Sequence, residues 1–181
     1  MPMLDANNCC LLVIDVQEKL YGVMHQKEVL ADHLEKLIRA MRILEVPVMV
    51  TEQYPQGIGQ TIVRLSALLE GFPVLSKIHF SCCGDPIFLK KFQELNRRQV
   101  LIVGIECHVC VHQTAVDLLD RGYRVQIVAD GVSSRTAQNR DIGLQKMRDE
   151  GAMITSTETV VFELLKAAGS DKFREISKII K

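Results

Sequence analysis

The reactive side chains that stand out in this 181-residue sequence sit where apolar runs stop. Val100-Leu101-Ile102-Val103-Gly104-Ile105-Glu106-Cys107-His108-Val109-Cys110 reads as a buried strand, a glycine break, and a thiol in the first turn of a helix. Free amides and the helix dipole at such an end favour negative charge, pointing to thiolate at Cys110 and oxyanion binding beside it. Cysteine is also a common small core residue, and packing alone would account for it. Asp15 closes the run Cys9–Ile14, where an ionised carboxylate needs a cation or a proton. It is either a cap for the following loop or a general base tuned by burial. Lys77 ends Pro73-Val74-Leu75-Ser76. Its ammonium is able to compensate Asp15 and favour a nearby thiolate, although most lysines after strands are merely solvated.

The elements that must position these groups follow from periodicity. Short apolar runs alternate with longer stretches of helical period, the pattern of repeated strand-helix units around a parallel sheet. The Cys9–Ile14 run is unbroken, as expected of a strand covered on both faces. From Leu30, residues Leu34, Leu37, Ile38, Met41 and Leu44 build one buried helical face. Pro47 ends that helix, and Val46–Thr51 is the second strand. Glu52–Gln60 is read as loop, followed by a short helix to about Glu70. Pro73–Lys77 is a third strand near an edge, and Pro86 opens a helix to about Arg97.

Val100–Gly104 is the fourth strand. The helix carrying Val111, Ala115, Leu118 and Leu119 ends at Arg121-Gly122. Tyr123–Ala129 is a fifth strand, a helix spans about Arg140–Glu150, and Ala152–Thr155 is a sixth strand. Thr155 and Glu158 have capping-box spacing ahead of a helix with Val161, Leu164 and Leu165, and Lys172–Ile180 is a last amphipathic helix. Right-handed crossovers over six parallel strands predict an α/β fold: a doubly wound, Rossmann-like three-layer α/β/α sandwich of order 3-2-1-4-5-6. Ligands in such folds bind beyond the carboxyl ends of the strands, so Asp15, Lys77 and Cys110 should share one rim.

Composition restricts the functions available. Hydrophobic residues make up 48% and charged residues 24% of the sequence, which is ordinary for a globular protein. Residues 1–181 are read as a single domain. Lys plus Arg and Asp plus Glu both number 22, leaving no global field to draw nucleic acid or an anionic membrane. Met1–Asn8 shows no leader pattern, and no apolar run has membrane-spanning length. The expectation is a soluble cytoplasmic protein with reduced cysteines.

Cys107-His108-Val109-Cys110 is also a C-x-x-C after a strand, so thiol-disulfide redox chemistry is a rival reading. Zinc held by Cys82, Cys83, Cys107 and Cys110 is disfavoured because adjacent cysteine side chains diverge. The histidines show no metal-ligand spacing, and neither metal nor cofactor is expected. A non-catalytic interaction module is the third reading, since a fold does not fix a function.

The ordered set of motifs carries a resemblance. Gly104-Ile105-Glu106-Cys107-His108-Val109-Cys110-Val111 is similar to the nucleophile segment of the isochorismatase-like cysteine hydrolases. The likeness continues through Leu11-Leu12-Val13-Ile14-Asp15-Val16-Gln17, Ser76-Lys77, Phe80-Ser81 and Asp130-Gly131-Val132-Ser133-Ser134-Arg135. Leu44-Glu45-Val46-Pro47-Val48-Met49-Val50-Thr51-Glu52-Gln53-Tyr54-Pro55-Gln56-Gly57 resembles most the isochorismatase domain-containing branch.

The resemblance implies Cys110 as nucleophile, Asp15 as base and Lys77 as third member. It also implies a cis peptide at Ile105–Glu106, with the amides of Glu106 and Cys110 as an oxyanion hole. It further implies hydrolysis of a small amide or related C–N bond through a thioester, and a homo-oligomer. The candidates for substrate contact are Gln17, Glu52, Gln53, Tyr54 and His79, of which Glu52, Gln53 and Tyr54 follow the second strand on the same rim. Glu52-Gln53-Tyr54-Pro55 stands where nicotinamidases of this superfamily carry Asp-x-His, which argues against their metal site.

Overall fold

The apolar run Cys9–Ile14 forms β1, and each of its residues is buried. The computed structural model describes residues 3–180. Five further strands are β2 (Val48–Gln53), β3 (Val74–Lys77), β4 (Gln99–Gly104), β5 (Arg124–Val132) and β6 (Met153–Thr155). All pair in parallel, in the order β3-β2-β1-β4-β5-β6. Chain order reverses between β1 and β4, which lie side by side with Cys9 opposite Gln99 and Ile14 opposite Gly104.

The helices are α1 (Glu18–Tyr21), α2 (Lys27–Leu44), α3 (Pro55–Ile58), α4 (Val63–Ser66), α5 (Pro86–Glu94), α6 (His112–Asp120), α7 (Ala137–Asp149), α8 (Thr157–Leu165) and α9 (Asp171–Ile180). They divide between the two faces of the sheet. Successive strand side chains point to opposite faces, so Cys9, Leu11 and Val13 pack against α2, α8 and α9, whereas Cys10, Leu12 and Ile14 pack against α5, α6 and α7. The buried stripe predicted from Leu30 to Leu44 is the face α2 presents to the sheet. Two cores on either side of one sheet make the three layers.

Several boundaries differ from the sequence reading, for local reasons. β2 runs on through Glu52 and Gln53, and Pro55–Ile58 closes one helical turn, so the expected Glu52–Gln60 loop is partly ordered structure. The expected capping box of Thr155 and Glu158 does not form. Thr155 belongs to β6, and Ser156 caps α8 by accepting a hydrogen bond from the Thr159 amide. β5 reaches Val132 because a register shift lets Val132 pair with Gly104 after the regular Ile102–Ile127 pair.

Gly104 is where backbone conformation becomes critical. Its φ is +120°, and a Cβ built there would stand 2.0 Å from the Ile14 carbonyl oxygen, a contact that only backbone movement between β1 and β4 relieves. Gly122 also has a positive φ, +78°, but an added Cβ there would meet nothing within 4 Å. Gly122→Ala should therefore cost about 1–2 kcal/mol from the left-handed conformation alone. Gly104→Ala should cost more than that or abolish folding, a ranking that urea denaturation of the two variants checks.

Candidate active site

The sheet brings three sequence-distant side chains to its carboxyl rim. Asp15 leaves β1 in the left-handed region, φ +54°, a conformation aspartate tolerates better than most residues. Its amide donates to the Thr51 carbonyl at 3.0 Å, and its own carbonyl accepts from the Gln17 amide at 2.8 Å. This tight turn aims the carboxylate sideways along the rim. Lys77 ends β3, two strands away, in register with Gln53 of β2.

Lys77 Nζ donates to Asp15 Oδ2 at 2.6 Å, across a pair in which Asp15 is 0% and Lys77 4% exposed. Thr51 Oγ1 donates to the other carboxylate oxygen at 2.8 Å. The ammonium further meets Gln53 Oε1 at 2.8 Å and the carbonyls of His79 and Phe80, each at 3.2 Å. Burial alone would lower the Lys77 pKa, but the charge and hydrogen bond of Asp15 outweigh it, and the net direction is up. Lys77 is a held ammonium.

Cys110 follows β4, but it is not in the first turn of a regular α-helix. Residues Cys107–Val111 form a π-helical turn ahead of α6, with the Val111 amide bonded to the Glu106 carbonyl at 3.3 Å. Such turns recur at functional sites. The Ile105–Glu106 peptide is cis. Among the described residues the Glu106 amide donates to no protein group, while its carboxylate pairs with Arg135 at 3.0 Å. The Cys110 thiol, 6% exposed, is pushed up to about 12, first by burial and next by the Asp15 charge, with Lys77 pulling the other way. The resting group is a protonated thiol instead of the thiolate expected from the helix end alone, because burial and a facing carboxylate both oppose the charge.

The remaining predicted contacts separate by geometry. Gln53 holds Lys77 and donates to the Ile78 carbonyl at 2.7 Å. Gln17 is buried, spanning the Gln53 amide and the carbonyls of Gln53 and Gly59, so it braces two loops. Glu52 accepts from both the amide and the hydroxyl of Thr61. Tyr54 is exposed, and His79 reaches Lys77 through its carbonyl.

Two residues escaped the sequence reading. Thr51 positions Asp15, and Cys82 donates to Thr51 Oγ1 at 3.8 Å. The sequence signal for Thr51 was a hydroxyl near the carboxyl end of β2, beside the strand that Asp15 follows. Cys107 faces elsewhere, its thiol on the Arg140 carbonyl at 3.5 Å. The C-x-x-C sulfurs thus serve different neighbourhoods, and all six cysteines are free.

All six thiols are also pushed above 9.0: Cys82 to about 11, Cys10, Cys83, Cys107 and Cys110 to about 12, and Cys9 further still. Unfolded thiols ionise first as pH rises, so the stability these groups contribute is complete below about pH 9. It is lost between there and the folded values, by about 1.4 kcal/mol per thiol per pH unit. Urea midpoints measured from pH 8 to 10 should fall steeply above pH 9; an unchanged midpoint would contradict the burial described.

Comparison with known proteins gives consistent matches. The isochorismatase domain pattern matches residues 9–159. A secreted isochorismatase effector, Isc1 of Phytophthora sojae (strain P6497), is 41% identical over 175 residues, covering 94% of this chain and 83% of its own length. Isochorismatase domain-containing protein 2 of Rattus norvegicus is 37% identical over 172 residues, covering 94% and 80%. The solved structure of MAR1 ribonuclease from Caenorhabditis elegans superimposes with a TM-score of 0.93 at 37% identity, over 99% of this chain and 92% of that one.

Proposed function

Because the chain belongs to the isochorismatase family, in the branch of isochorismatase domain-containing protein 2, we propose that it is a cysteine hydrolase of small amides or related C–N bonds. Cys110 is the nucleophile, Asp15 the base and Lys77 the charge partner. The observation that carries this reading is the 2.6 Å Lys77–Asp15 pair, buried beside the Cys110 thiol. A carboxylate fixed beside a protonated thiol is what concerted proton transfer requires.

In the proposed cycle, Asp15 takes the Cys110 proton as the sulfur bonds to the substrate carbonyl carbon. The amides of Glu106 and Cys110 receive the oxyanion, and such donors contribute about 2.7–4 kcal/mol each. The protonated Asp15 then gives its proton to the leaving nitrogen as the C–N bond breaks, leaving a thioester. Water, deprotonated by Asp15, attacks the thioester, and expulsion of the sulfur with return of the proton restores the thiol and releases an acid. Lys77 stays charged throughout, holding the carboxylate in line.

The same reading takes the chain as one hydrolase domain, since α8 and α9 pack on α2 instead of forming a core of their own. Six buried free thiols fit a reducing compartment and so favour the cytoplasm. Among the described residues no helix is long and apolar enough to cross a membrane. Self-association is also proposed. Val74 on the edge strand β3, and Ile78 and Phe80 in the loop after it, expose apolar surface beside Lys77.

Acrylamide, an electrophilic amide, should form a single adduct on the wild type and on Cys107→Ala, and none at this site on Cys110→Ala, as read by peptide mass spectrometry. Labelling lost with Cys107 but kept without Cys110 would reverse the nucleophile assignment. In a screen of small amides, Asp15→Asn should lower turnover by about 10²–10⁴-fold with circular dichroism unchanged. Light scattering on the eluting protein should give a mass above one chain. Ile78→Asp with Phe80→Asp should reduce it, and a single-chain mass for the wild type would refute self-association.

A further inference from the structure

We propose a second binding site, for a small phosphate-bearing anion, at the amino ends of β4 and β5. Arg97 and Arg98 enter β4, Arg121 follows α6, and Arg124 opens β5. Strand pairing gathers them: Arg124 stands opposite Gln99, and its amide donates to the Arg98 carbonyl at 2.8 Å. A cavity of about 520 Å³ lies there, lined by Arg97, Arg98 and Arg121 together with Gln93, Asn96 and Tyr123.

Among the described residues these arginines have no hydrogen-bonding protein partner for their side chains; Arg97 is half-buried and the other three are exposed. Arg39, Arg42, Arg64, Arg135, Arg140 and Arg174 each donate to a carboxylate or a backbone carbonyl. Among the described residues, no carboxylate pairs with Arg97, Arg98, Arg121 or Arg124. Arg97 Nε is buried with no hydrogen-bond partner at all, an unmet donor on an ionised group, which burial penalises. Arg98 lies 5.5 Å from the centroid of the Tyr123 ring, which orients its guanidinium without occupying its donors.

The carboxyl ends of α5 and α6 favour nearby cations, but helix ends do not explain a buried, unpartnered Nε or four like charges gathered at one end of the sheet. Planar guanidinium forks with unspent donors match phosphate oxygens in pairs. Gln93 and Asn96 add neutral polar groups to the lining. β4 is six residues long, so a strand's length of about 20 Å separates this cavity from the Cys110 rim. The site is independent of the hydrolase reading.

Isothermal titration of the full chain with inorganic pyrophosphate, at constant ionic strength, tests the site. Saturable binding is expected for the wild type and for Cys110→Ala, with sulfate competing weakly. Arg97→Gln combined with Arg121→Gln should weaken binding at least tenfold, with circular dichroism unchanged. Arg148→Gln, at an arginine on α7 outside the cavity, should bind as wild type. No saturable heat with the wild type, equal affinity in the double variant, or equal weakening by Arg148→Gln would each overturn the proposal.

Discussion

Removing an ammonium and a carboxylate from water costs several kcal/mol for each ion, and their attraction offsets this only when the geometry is good and every remaining donor and acceptor is met. Lys77 and Asp15 meet that condition. Thr51 satisfies the second carboxylate oxygen, and the three ammonium hydrogens share Asp15, Gln53 and two carbonyls of the loop after β3. The pair therefore ties β1, β2, β3 and the 78–80 loop into one rim. Loss of either charge would leave the other stranded in the interior.

That rim also sets the surroundings of the Cys110 thiol. The Asp15 carboxylate, held by Lys77 and Thr51, faces Cys110 from a fixed direction, and burial pushes the thiol up. Thiol and cation thus have their electrostatic surroundings set before any ligand arrives, the preorganisation on which the proposed hydrolysis would draw.

Much of this was legible in residue order. Unbroken apolar runs identified β1 and β4, the stripe from Leu30 to Leu44 identified α2, and the rule that ligands gather beyond strand ends placed Asp15, Lys77 and Cys110 together. Thr51 and Cys82 were not legible, because their importance comes from strand register and from a loop packed against α6, where the Cys82 amide donates to Thr114. Gln17 and Glu52 looked like ligand contacts, yet the structure engages both in holding the segment that follows β2. Balanced total charge likewise concealed the arginines at the opposite end of the sheet, since net charge carries no information about where like charges collect.

β3 has a neighbour on one side only, and the strand that delivers Lys77 is therefore half-supported. A protein chain adding itself along that open margin would restrain the backbone of the strand that carries the ammonium. Quaternary assembly and proton inventory would then be linked through a single four-residue strand, so a change in subunit packing would register as a change in chemistry.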